Sequence, residues 1–134
     1  MEQAVCRSQG SAEAPQGIRN NRSQRGGGAI ESASGRIYVG VCVDGACTLG
    51  ICAERNAVFN MLINGEDAIR RVVAVNWDGK VMPPCGACRE FLYQLNEENE
   101  DMEIMADYGK RETVTLKELM PNWWGKERYE QSKR

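Results

Sequence analysis

The sequence predicts an α/β domain, a three-layer α/β/α sandwich on a mixed sheet of about five strands. Three observations point there. Short runs rich in β-branched residues alternate with segments whose apolar residues recur at helical spacing. Turn and capping residues punctuate the boundaries between them. The chain has 134 residues, 42% of them hydrophobic and 27% charged, which suits one soluble domain with a single core.

Residues 1–25 stand apart. They are rich in Gln, Ser, Arg and Gly, and Val5 and Ile18 are their only large aliphatics. Such a segment buries too little apolar area to offset its ordering entropy, so a mobile tail is expected. Residues 26–125 carry the folded pattern. Ala29–Ala33, a Ser34-Gly35 turn and Arg36–Val43 read as a β-hairpin. Cys52–Asn64 places Ala57, Val58, Met61 and Leu62 on one helical face and stops at Asn64-Gly65. Arg71–Val75 is a continuous apolar run of the buried-strand kind, and Asp78-Gly79 marks a turn. Pro84–Leu95 opens with a proline where helices tolerate one and carries Ala87, Phe91, Leu92 and Leu95 as a stripe. Met102–Ala106 and Thr113–Thr115 read as strands. Thr115 and Glu118 have capping-box spacing for a short last helix that Pro121 closes. Residues 126–134 read as a charged, solvated tail. There are no internal repeats.

The bulk numbers also limit the function. A net charge of -2 and a pI of about 5.3 give no basic balance for gripping a polyphosphate, so a small-molecule partner is expected and a nucleic acid is not. No apolar run reaches the roughly 20 residues of a membrane span, and a cytoplasmic location is expected. Six cysteines stand at positions 6, 42, 47, 52, 85 and 88, and there is no histidine. In a reducing compartment such cysteines favour metal binding or catalysis over disulfides. Any zinc site must then be built from thiolates and carboxylates.

Two groups of residues fit such a site. Cys52, Glu54 and Arg55 open one predicted helix, and Pro84, Cys85 and Cys88 open another. Cys85 and Cys88 are three apart, so they share a face and can converge on one ion. Catalytic zinc takes three protein ligands and keeps its fourth position open, and Cys52 supplies the third. Glu54, two residues beyond Cys52, is better placed to touch a metal-bound water than the metal, an arrangement that resembles zinc deaminases with three cysteine ligands. Arg55 is a candidate donor to the thiolates from outside the ligand set. The competing reading of the C-x-x-C pair is a structural zinc knuckle or a redox pair.

The segments ICAERNA (Ile51–Ala57) and PCGACREF (Pro84–Phe91) resemble the cytidine deaminase family, and the spacing between them agrees. The resemblance runs from about Gly28 to Trp124 and takes in GRIYVG (Gly35–Gly40) and LKELMP (Leu116–Pro121). It implies a cytidine deaminase-like fold, usually a homotetramer, that uses Zn2+ to deaminate cytidine or deoxycytidine hydrolytically, with Glu54 as the catalytic proton carrier. The nucleoside branch carries an Asn-x-Glu element that reads the ribose. Here Cys42 and Asp44 take that place, and together with Ala53 they are the expected substrate contacts. Glu90 stands where that branch commonly has Gln. The blasticidin-S deaminase branch has Glu there and also lacks the Asn, so an aminoacylnucleoside is an alternative substrate. A non-catalytic zinc-binding domain of the same fold is the alternative from another class. The family's first helix and first strand are not recognisable in residues 1–28.

Five residues keep two readings. Cys42 and Cys47 suit small buried hydrophobes more than functional groups. Arg89 is a solvated charge or a donor near the metal. Trp123 and Trp124 either pack the C-terminal end or, as the resemblance implies, help line a pocket.

Overall fold

The computed structural model describes residues 26–45, 47–76 and 78–131. The expected tail over 1–25, with Cys6 in it, and residues 132–134 lie outside these. The elements run β1 (Gly27–Ser32), β2 (Ile37–Val41), α1 (Ala53–Ile63), β3 (Ile69–Val75) and β4 (Val81–Met82). There follow α2 (Gly86–Leu95), a 3-10 turn (Glu97–Asp101), β5 (Glu103–Asp107), β6 (Glu112–Thr115), α3 (Leu116–Leu119) and α4 (Lys126–Gln131).

The fold is α/β, as the alternation predicts, on a mixed sheet in the order β2-β1-β3-β5-β6. β1 pairs antiparallel with both β2 and β3, so β2 and β3 run the same way with α1 as their crossover. β3 and β5 are parallel with α2 between them, and β5 and β6 are antiparallel. The sheet has six strands rather than about five. The extra one, β4, is two residues long and pairs Ala74 with Met82 and Val75 with Val81 at the end of β3. A pair that short has no periodicity to read; only its partner makes it a strand.

Register decides where the site falls. Gly27 pairs with Val41 on one side and with Val75 on the other, so the carboxyl ends of β2 and β3 are level across the sheet. Both helices that follow therefore start at one edge of the sheet. Side chains alternate across the strands. Ile30, Val72 and Ile104 join Val58 and Met61 of α1, Leu92 of α2 and Leu116 of α3 in the main core. Ala29, Val73 and Val75, with Val81 and Met105 against them, form a smaller cluster on the opposite face. Each fully buried Leu, Met or Ile contributes roughly 1.5–3 kcal/mol by leaving water.

The predicted helical faces shift slightly. In α1 the buried set is Ala53, Glu54, Ala57, Val58 and Met61, and Leu62 is 38% exposed. In α2 Ala87 faces solvent and Cys88 takes the inward position beside Leu92. The capping box stands as read: Thr115 N donates to Glu118 Oε2 at 2.6 Å, and Glu118 N donates to Thr115 Oγ1 at 3.4 Å. Lys126–Gln131, expected as solvated tail, is helical because Tyr129 gives it an apolar anchor on Trp123. Cys47, expected inside, is exposed in the turn after Asp44, where its φ is +57°.

Candidate metal centre and active site

Two helix starts meet at the sheet edge. Cys52 is the N-cap of α1 and Cys85 the N-cap of α2, both with extended backbone, and neither side chain caps its own helix. The sulfurs are thereby left for other work. Cys88, in the first turn of α2, is fully buried and points back to them. The three sulfurs lie within 4.8 Å of one another, and Cys52 Sγ and Cys85 Sγ are 3.7 Å apart. Two thiolates each about 2.3 Å from one tetrahedral ion stand about 3.8 Å apart, so this spacing fits zinc.

The seat of α1 is a pair of glycines facing each other across β1 and β2, Gly28 and Gly40. A Cβ on Gly40 would stand 2.2 Å from Ala53 O and 2.4 Å from Ala57 N; one on Gly28 would stand 3.1 Å from Glu54 N. The missing side chains let the first turn of α1 rest directly on the sheet. Glu54 is consequently 7% exposed. It stands in the first turn of α1, two residues beyond Cys52, and its charge acts to raise the Cys42, Cys85 and Cys88 thiols.

Charge around the sulfurs is uneven. Burial, and after it the Glu54 charge, pushes the Cys88 thiol well above its ordinary value. Burial also raises Cys52, against the lowering pull of Arg55. Burial acts upward on Cys85 too, but hydrogen bonds from the Cys88 backbone and to the neighbouring thiols outweigh it, and Cys85 is the lowered one. Arg55 Nη2 reaches Cys52 Sγ at 4.0 Å, while its buried Nε has no partner among the described residues.

The expected substrate contacts separate into two groups. Val43 and Ile51 exchange both backbone hydrogen bonds, at 2.9 and 2.8 Å, which brings Cys42 and Cys52 side by side. Cys42, Asp44, Thr48, Cys52 and Arg55 line a cleft of about 430 Å³. Ala53 is buried behind it. Arg89 is tied to the helix start, its Nε donating to Pro84 O at 2.7 Å. The glycine pair was missed by sequence reasoning, although Gly40 ends a segment already singled out. The clue was two glycines in adjacent strands opposite a helix start.

Comparison with known proteins places this geometry. No family model matches the chain. A probable cytidine deaminase of Dictyostelium discoideum is 31% identical over 105 residues, 75% of this chain and 69% of the relative. The chain belongs to the cytidine deaminase family. The cytidine deaminase of Halalkalibacterium halodurans is 28% identical over 96 residues, 71% of this chain and 73% of that one. Among solved structures, the cytidine deaminase from Mycobacterium leprae superposes with a TM-score of 0.68 at 28% identity, covering 90% of this chain and 93% of that one. The enzyme from Mycobacterium tuberculosis gives 0.69 at 25%, covering 90% and 94%. The described residues thus share the cytidine deaminase fold.

Proposed function

We propose that the chain is a hydrolytic cytidine deaminase: water displaces the amino group at C4 of cytidine or deoxycytidine, giving uridine or deoxyuridine and ammonia. One observation carries this reading. Three cysteine sulfurs from two helix starts converge beside a buried carboxylate in a chain of this family.

In this reading Cys52, Cys85 and Cys88 hold Zn2+, and the catalytic unit spans residues 26–125. When bound, zinc supplies Lewis-acid activation of water, at neutral pH, next to the ring. Glu54 takes one proton from that water and gives it to the ring nitrogen, then carries the second, from the new hydroxyl at C4, to the leaving nitrogen. A C4–O bond forms, the C4–N bond breaks, and the nitrogen departs as ammonia. Three thiolates around a divalent ion leave one net negative charge. The N-termini of α1 and α2 offset part of it, and Arg55 donates toward Cys52. Cys42 and Asp44 border the cleft beside Cys52, where Asp44 can accept a sugar hydroxyl and Cys42 makes a weaker contact than an amide would.

The reading includes self-association as a homotetramer and a cytoplasmic location. Ile37, Val39 and Val41 form a half-exposed apolar row on edge strand β2, which supports a face that another copy covers. Five free thiols among the described residues support a reducing compartment. Among those residues no helix is long and apolar enough to cross a membrane.

The test is ammonia release by the zinc-loaded protein from cytidine, deoxycytidine, free cytosine, dCMP and blasticidin S. Turnover of cytidine or deoxycytidine is expected. Turnover of blasticidin S alone would replace the substrate reading, and turnover of none would reject the enzyme.

A further inference from the structure

Outside the metal centre, one carboxylate gathers an unusual set of donors. Trp123 Nε1 donates to Glu90 Oε2 at 3.0 Å, and Trp124 Nε1 donates to Glu90 Oε1 at 2.8 Å. Gln94 Nε2 also donates to Oε1, at 2.6 Å. Two consecutive indoles therefore share a single side chain. Around them the rings stack: Trp123 on Tyr93 with centroids 4.4 Å apart, and on Tyr129 with centroids 5.4 Å apart. Tyr129 OH donates to Gln94 Oε1 at 3.1 Å, which closes the contact one turn further along α2.

Every α2 residue in this set falls on one stripe, Glu90, Tyr93 and Gln94, at helical spacing of three and four. That stripe faces the segment 121–131. Trp124 is 59% exposed, and Lys126, Glu127 and Arg128 face solvent, so burial alone does not orient the two indoles. A carboxylate does what an amide cannot. It offers two charged acceptor oxygens and no donor, whereas a glutamine would turn an NH2 toward one of the indole N–H groups.

Glu90 also stands two residues beyond Cys88 in the same helix. We propose that Glu90 is a latch, a positioning residue that clasps the C-terminal segment along α2. By that clasp it steadies the helix whose start carries Cys85 and Cys88. The second part rests on the metal-centre reading above.

The test uses the full-length, zinc-loaded protein and two readouts: native-state tryptic cleavage after Arg128, and the rate of zinc transfer to a chromogenic chelator. Glu90→Ala should speed cleavage by about tenfold or more, the scale of losing hydrogen bonds to a charged acceptor. The double variant Trp123→Phe, Trp124→Phe keeps an aromatic ring at each position and removes both N–H donors. It should match that change, and adding it to Glu90→Ala should bring little more. Glu90→Gln, with one acceptor oxygen left, should fall between. Zinc transfer should accelerate in the same order while the melting temperature of the domain changes little. Wild-type cleavage rates in both Glu90→Ala and the double variant would overturn the latch. Faster cleavage with unchanged zinc transfer would reduce it to a clasp and overturn the positioning role. If the wild-type chain held no zinc, the metal-centre reading would fall, while the cleavage series would still decide for or against the clasp.

Discussion

At the scale of single residues, the three cysteines of the centre differ in how readily each gives up its proton. Burial holds Cys88 and Cys52 above the ordinary thiol value, and only Cys85 lies below it. Near neutral pH the two raised thiols are protonated, so a metal must displace protons to bind them. Zinc affinity should consequently fall as pH falls, by up to about tenfold per unit for each proton displaced. A chelator competition between pH 8 and pH 6 measures this directly. A flat profile would mean that the sulfurs are not the ligands. Arg55 acts in the opposite sense, since its guanidinium pulls Cys52 down. These residues were legible in the sequence because ligand chemistry restricts the choice: without histidine, only cysteines at helix starts offered soft donors at workable spacing. Cys47 was misjudged on composition alone. A thiol suits a core, but a left-handed turn on the surface overrode that preference.

Secondary-structure elements are positioned by what is absent as much as by what is present. α1 is apolar nearly all round, with Phe59 and Ile63 exposed, so periodicity predicts the helix but identifies its buried face only roughly. The Gly28–Gly40 pair settles that face by admitting the backbone of Ala53 and Glu54 to the sheet. Gly40→Ala should push the first turn of α1 outward. It should destabilise the domain by about 1–3 kcal/mol and weaken zinc retention as Cys52 moves away from Cys85. Thermal melts and metal content would check both, and unchanged values in each would remove the seat from the account. Strands β1, β2, β3, β5 and β6 were legible in advance as short apolar segments bounded by turn residues, and α3 was legible through its capping box. β4 and α4 were not legible, because pairing with β3 makes one and the Tyr129–Trp123 stack anchors the other.

Over the whole molecule, the sheet lines up the two helix starts and a single buried amide ties the far ends together. Asn99 is fully buried; its Oδ1 accepts from Ile69 N at 2.7 Å, and its Nδ2 donates to Leu92 O at 3.1 Å and to Asp67 O at 3.4 Å. It thus joins the end of α2 to the connection between α1 and β3. Asn99→Ala leaves buried backbone groups unpaired, at about 1–3 kcal/mol each, and should lower Tm by roughly 4–8 °C per kcal/mol. Differential scanning calorimetry reads this, and a Tm shift under a degree would exclude the tie. The central claim concerns what this scaffold holds beside the sulfurs: a buried Glu54 that carries protons without serving as a ligand. The direct measurement is turnover of cytidine by Glu54→Gln alongside its zinc content. The amide keeps the shape and cannot shuttle a proton, so the variant should be folded, hold about one zinc per chain and lose about 10²–10⁴-fold in kcat. Turnover at the wild-type rate, or loss of the zinc together with the activity, would contradict the account.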